Sequence, residues 1–153
     1  MAEYSANAVQ TVNPGETIVF TDSPVPCTRG FVRHRDGDGN FLLSGWTPRN
    51  PNCYRSQSAV YLVDFGANVA IPTGGTVGPI SVTISIEGNS LPATSMVVTP
   101  AAADQYFNIS RASNIEIWKG CCQTVSIRNT SDQAILVHTA NVIFTRPDLS
   151  VTY

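Results

Sequence analysis

The sequence predicts an all-β chain folded as a two-sheet jelly-roll sandwich. Period-2 alternation of apolar and polar residues recurs from end to end, turn signals arrive at short intervals, and no long stretch has helical periodicity. The clearest strand is Ile80–Glu87, with Ile80, Val82, Ile84 and Ile86 on one face and Ser81, Thr83, Ser85 and Glu87 on the other. That pattern describes a strand with one wet face.

In chain order, residues 1–12 read as an extended, nearly uncharged arm without a core role, and Asn13-Pro14-Gly15 is the first turn. Strands follow at Glu16–Thr21, Gly30–Arg33 and Phe41–Ser44, with Asp36-Gly37-Asp38-Gly39-Asn40 as a turn between the last two. Ser58–Phe65 places Ala59, Tyr61, Val63 and Phe65 opposite Val60, Leu62 and Asp64. Beyond the Pro72-Thr73-Gly74-Gly75 turn and Ile80–Glu87 come strands at Met96–Thr99, Gln105–Ser110, Ile115–Trp118 and Thr124–Arg128. Ala101–Gln105 is the only helix-tolerant stretch, and it is short. In Ala134–Thr145, strict alternation sets Leu136, His138, Ala140, Val142 and Phe144 against Ile135, Val137, Thr139, Asn141 and Ile143. Ser58–Phe65 and Ala134–Thr145 are apolar on both faces, so both faces must be covered, most simply by another copy of the chain. Residues 13–146 form one jelly-roll domain and 147–153 a tail; both terminal segments are candidate docking arms.

Composition narrows the function. The chain has 153 residues, of which 13% are charged, with a net charge of −2. This is about half the usual charged fraction of ~25%. No basic field exists to hold nucleic acid or an anionic membrane. The start, Met1-Ala2-Glu3-Tyr4-Ser5, lacks a signal-peptide pattern, and no apolar run reaches the length of a membrane span. A soluble protein made in a cytoplasm is expected.

Of the four cysteines, Cys27, Cys53, Cys121 and Cys122, free thiols are expected in a reducing compartment. Cys27 and Cys53 are the best disulfide candidates because they flank one loop-rich segment. No C-x-x-C pair supports zinc, even with His34 lying between them. If Cys121 and Cys122 lie on a strand, their side chains point to opposite faces.

Asp36, Asp38 and Asn40 alternate with glycine like the first half of a calcium loop. The competing reading, a hairpin turn, is the favoured one, because Asp-Gly pairs are strong turn formers and the flanks read as strands. His34, between two arginines, is expected in a solvated loop, and His138 in a covered strand. Trp46, Arg49, Tyr54 and Arg55 fall in or beside the loop Thr47–Ser56. Such residues suit a protein contact or a sugar-stacking platform, or a loop that folds its aromatics inward. Asn108-Ile109-Ser110 and Asn129-Thr130-Ser131 match the glycosylation pattern only by chance if no signal peptide operates. No nucleophile elbow, zinc-protease motif or phosphate loop is present, and catalysis has no positive evidence.

The run Ala59–Val69, then Ile80–Glu87, Asp104-Gln105-Tyr106-Phe107 and a closing Ala134–Thr145 strand resembles the jelly-roll trimers of tumour necrosis factor and the complement globular head. Across residues 8–146 the chain resembles bacterial and phage domains of this type. These are the carboxy-terminal domains of exosporium-type collagen-like proteins, and phage head-fibre or capsid decoration proteins. His34-Arg35…Phe41–Gly45, Ile71–Gly78 and Gly120-Cys121-Cys122…Arg128–Ser131 carry the phage-linked resemblance. It implies a homotrimer with Tyr61, Val63, Phe65, Tyr106, Leu136, His138, Val142 and Phe144 at the interface. It further implies a non-enzymatic virion protein, docked on the major capsid protein or another virion component and presenting loops to host-surface or mucosal glycans. A carbohydrate-binding or adhesive module of a bacterial or spore surface is the alternative, although the chain has no Gly-X-Y stalk. The low charge fits surface buried between subunits.

Overall fold

A computed structural model describes residues 1–46 and 58–147. Among the described residues twelve strands are divided between two antiparallel sheets: β1 (Ala2–Ala6), β2 (Gln10–Val12), β3 (Asp22–Val25), β4 (Val32–His34), β5 (Asn40–Ser44), β6 (Ser58–Ala70), β7 (Ile80–Ile86), β8 (Asn89–Ser90), β9 (Met96–Val98), β10 (Phe107–Trp118), β11 (Cys122–Asn129) and β12 (Ile135–Thr145). The first sheet runs β10-β6-β12-β1-β3, with β2 also on β12, and the second runs β4-β5-β11-β7-β8, with β9 on β7. A short 3-10 turn, Pro92–Thr94, leads into β9.

The inward faces build one core. Phe41, Tyr61, Phe65 and Phe144 are fully buried there, and Phe41 and Phe144 meet at 4.8 Å between ring centroids. Tyr61 also spans the layers: its hydroxyl lies 2.5 Å from the Ser44 carbonyl and 3.1 Å from that of Phe31. Arg146 is buried beside it, with its guanidinium 5.0 Å from the Tyr61 ring centroid and Nη1 donating to the Trp46 carbonyl at 2.8 Å. Burying such a cation is tolerable only with partners of this kind.

Several expectations need correction. Residues 1–12 are no arm: β1 lies inside the first sheet, paired with β12 and β3, and Ala2, Tyr4 and Ala6 are core residues. Their alternation is hidden because two of the three inward residues are alanines. Glu16–Thr21 forms only isolated bridges, Thr17 to Arg128 and Phe20 to Asp38. The two strands expected within 105–118 are one, β10, because residues 111–114 pair with β6 from Phe65 to Leu62 without a break.

The supposedly wet face of β7 is covered, with Thr83 and Ser85 buried. Their hydroxyls are satisfied by Ser95, Thr130 and Ser90 at 2.9–3.1 Å, as burial of polar groups requires.

The most consequential departure is in β12. Its register against β6 shifts between His138 and Asn141, where Thr139 adopts φ 54°. A bulge inserts one residue and reverses the alternation beyond it. Ile135 and Val137 therefore share the core face with Ala140, Val142 and Phe144, while Leu136 and His138 share the outward face with Asn141 and Ile143.

Candidate functional site

Tyr61, Val63, Phe65, Val142 and Phe144 point between the sheets, and none is more than 1% exposed in a single chain. They cannot meet a neighbouring copy. Of the residues the resemblance placed at an interface, only Tyr106, Leu136 and His138 lie outside this core. Tyr106 and His138 are in edge-on contact at 5.9 Å between centroids.

The surface open to a partner is the other side of β10, β6 and β12. Registers align its rows across the three strands: Asn108, Asn68 and His138; Ser110, Gly66 and Asn141; Ala112, Asp64 and Ile143; Asn114, Leu62 and Thr145. Asn108 and Asn68 are linked side chain to side chain at 3.3 Å, and Asn141 donates to Glu3 at 2.7 Å. Val60 stands on this face 46% exposed, with Leu62 and Ile143 half-buried. Asp64 and Glu116 are the only Asp, Glu, Lys or Arg side chains facing outward on these three strands. Val60 and Leu62 were legible by alternation; Ile143 was not, because the bulge falls between it and the start of the strand.

A second cluster lies at one end of the sandwich. Gly45, at the exit of β5, approaches the end of β10 so closely that a Cβ would sit 1.7 Å from the Trp118 carbonyl oxygen. This contact brings two exposed indoles to the same end, Trp46 at 62% and Trp118 at 64%. The other loop candidates, Arg49, Tyr54 and Arg55, lie outside the described residues, as does Cys53, the suggested partner of Cys27.

The Asp36–Asn40 segment is the hairpin turn between β4 and β5. Asp36 accepts from the Ser23 hydroxyl at 3.2 Å, and Asp38 accepts from the Asn40 backbone and side-chain amides at 3.2 and 3.3 Å. The carboxylates are thus engaged with different neighbours. Among the described residues, no group of three or more His, Cys, Asp or Glu side chains is arranged to hold a metal ion.

His34 is not a solvated loop residue. Its ring stacks on Phe41 at 4.3 Å, and its nitrogens lie 3.1 Å from the Asn40 and Phe20 carbonyl oxygens. Tyr4 packs edge-on against the same ring at 5.0 Å. Burial, before any other cause, pushes the Tyr4 phenol above its ordinary range.

No protein-family model matches the sequence, and no curated protein matches it. Solved structures do match in shape. The globular domain of zebrafish complement 1qA protein superposes with a TM-score of 0.59 at 14% identity, over 93% of this chain and 94% of that one. Murine APRIL, solved at pH 5.0, gives a TM-score of 0.53 at 12% identity, over 92% of this chain and 97% of that one. At such identities the likeness is one of fold, and the fold is the expected all-β, two-sheet jelly roll of the tumour necrosis factor and complement-head type.

Proposed function

We propose that this protein is a non-enzymatic homotrimeric interaction module. Its copies associate through the outward face of β10, β6 and β12, and its setting is a phage virion, as a capsid decoration or head-fibre protein. One observation carries the trimer. A broad sheet face with two charged side chains, Asp64 and Glu116, exposes Val60 and half-exposes Leu62 and Ile143. Depletion of charge with retained apolar contact is the composition of an interface core. The fold is consistent with this reading, and the phage setting is supported by the sequence resemblance.

Light scattering on the full chain should give three chain masses at micromolar concentration. Leu62→Glu, on the outward face, should give one chain mass with an unchanged β-sheet circular dichroism spectrum. A folded wild-type monomer would sink the trimer. Virion proteomics lacking this protein would sink the phage setting while leaving the trimer standing.

The exposed Trp46 and Trp118 favour a second reading, an adhesive module that stacks sugars on its indoles. A glycan array that is blank for wild type and for Trp118→Ala alike would remove it.

A further inference from the structure

The connection between β10 and β11 brings two thiols together. Lys119, Gly120 and Cys121 form a bend and only Cys122 lies on β11, so strand alternation does not separate the pair. Their Sγ atoms are 2.8 Å apart, less than an ångström beyond a disulfide bond of about 2.05 Å. Cys121 is exposed and Cys122 half-buried. The bend is braced from two directions. A Cβ on Gly45 would lie 3.2 Å from the Gly120 nitrogen as well as against the Trp118 carbonyl. The Trp118 amide donates to Gln123 Oε1 at 3.1 Å.

We infer that Cys121 and Cys122 are a vicinal dithiol that closes reversibly to an intrachain disulfide on meeting a low-molecular-weight disulfide such as glutathione disulfide. The Cys121 thiolate attacks one sulfur of glutathione disulfide, forming a mixed disulfide and expelling one glutathione thiolate. The Cys122 thiolate then attacks the Cys121 sulfur of that mixed disulfide, forming the Cys121–Cys122 bond and expelling the second glutathione. The two protons lost from the cysteines end on the two glutathione thiols; the protein pair is oxidised and glutathione disulfide reduced. Access makes Cys121 the entry point. Its contact with Cys122, followed by burial, raises the Cys122 thiol. Neighbouring Cα atoms are about 3.8 Å apart, below the usual disulfide span of about 4.4–6.8 Å. The ring is therefore strained and readily reopened, which is the property of a regulatory rather than a structural disulfide.

Trypsin cleaves after Lys119 and Arg128, which isolates both thiols on the peptide Gly120–Arg128. Native full-length protein would be incubated with glutathione disulfide, alkylated with N-ethylmaleimide under denaturing conditions, digested and weighed. In wild type this peptide should lose about 2 Da and take no maleimide, and dithiothreitol should restore two labels. Cys121→Ser and Cys122→Ser should instead stop at a persistent glutathione adduct on the remaining thiol. The inference fails if the wild-type peptide keeps two free thiols, retains glutathione, or is cross-linked to another cysteine.

Discussion

Asn129 illustrates how much a single buried side chain can carry here. It is wholly inaccessible; its amide donates to the Val12 and Gln133 carbonyls, each at 2.9 Å, and its oxygen accepts from the Ser131 amide at 2.9 Å. One residue thus ties the end of β11 to the end of β2. Asn129→Ala orphans three backbone groups and should cost about 3 kcal/mol, read as a drop in melting midpoint of about 2–4 °C per kcal/mol. Tyr4 makes a pH prediction. Its phenol is raised above 10.0 in the folded chain, mainly by burial. Stability from this group is complete below the unfolded value and is lost as pH rises through the folded one. Alkaline melts should therefore show stability falling above about pH 10, and Tyr4→Phe should flatten that decline. An equally steep fall in the variant would refute the assignment. Neither role was legible in the sequence, where Asn129 read as part of a chance glycosylation match and Tyr4 as part of an arm.

At the scale of the element, the bulge in β12 decides which side chains face the core. Thr139 is β-branched and holds a left-handed φ of 54°, a conformation that disfavours such residues. Thr139→Gly should therefore raise the melting midpoint, with strain relief outweighing the added chain entropy by about 0.5–1 kcal/mol. Deleting Thr139 should be tolerated, because it leaves one residue on each strand between the His138–Asn68 and Asn141–Gly66 pairs and keeps Ile135, Val137, Ala140, Val142 and Phe144 on the core face; soluble yield and the circular dichroism spectrum should stay those of wild type. Strands with strong alternation and large inward residues, β6 and β7 above all, were legible from the sequence. A bulge is not, because nothing in Val137-His138-Thr139-Ala140 distinguishes an inserted residue from a paired one. The interface residues expected from the resemblance went astray for a related reason: two apolar faces are easy to see, but which of them meets the facing sheet is a tertiary fact.

At the scale of the molecule, the low charge has a location. The side of the β10-β6-β12 sheet away from the core has two charged side chains, although it spans three of the longest strands. If this face is shared between copies, melting should be linked to association, and the midpoint should climb as chain concentration rises. Scans across a hundredfold range of concentration would show this directly, and a constant midpoint would count against assembly through any face. The overall fold class was legible in the sequence because it depends on many weak alternations that agree. The thiol pair and the two indoles at one end were not, because each arises where separate strands happen to stop.

The last of the described strands is also a middle strand of its sheet. β12 lies between β6 and β1, and β2 too pairs with β12. Until residues 135–145 have left the ribosome, the sheet exists at best as two separate pieces, β10 with β6 and β1 with β3. The first strand made must wait, with its backbone unsatisfied along one edge, for a partner synthesised more than a hundred residues later. Such non-local pairing folds slowly and leaves sticky edges open in the meantime. The sheet therefore cannot close before β12 has been made, and a nascent chain stalled just short of β12 would be an object for chaperones rather than a shortened version of the protein.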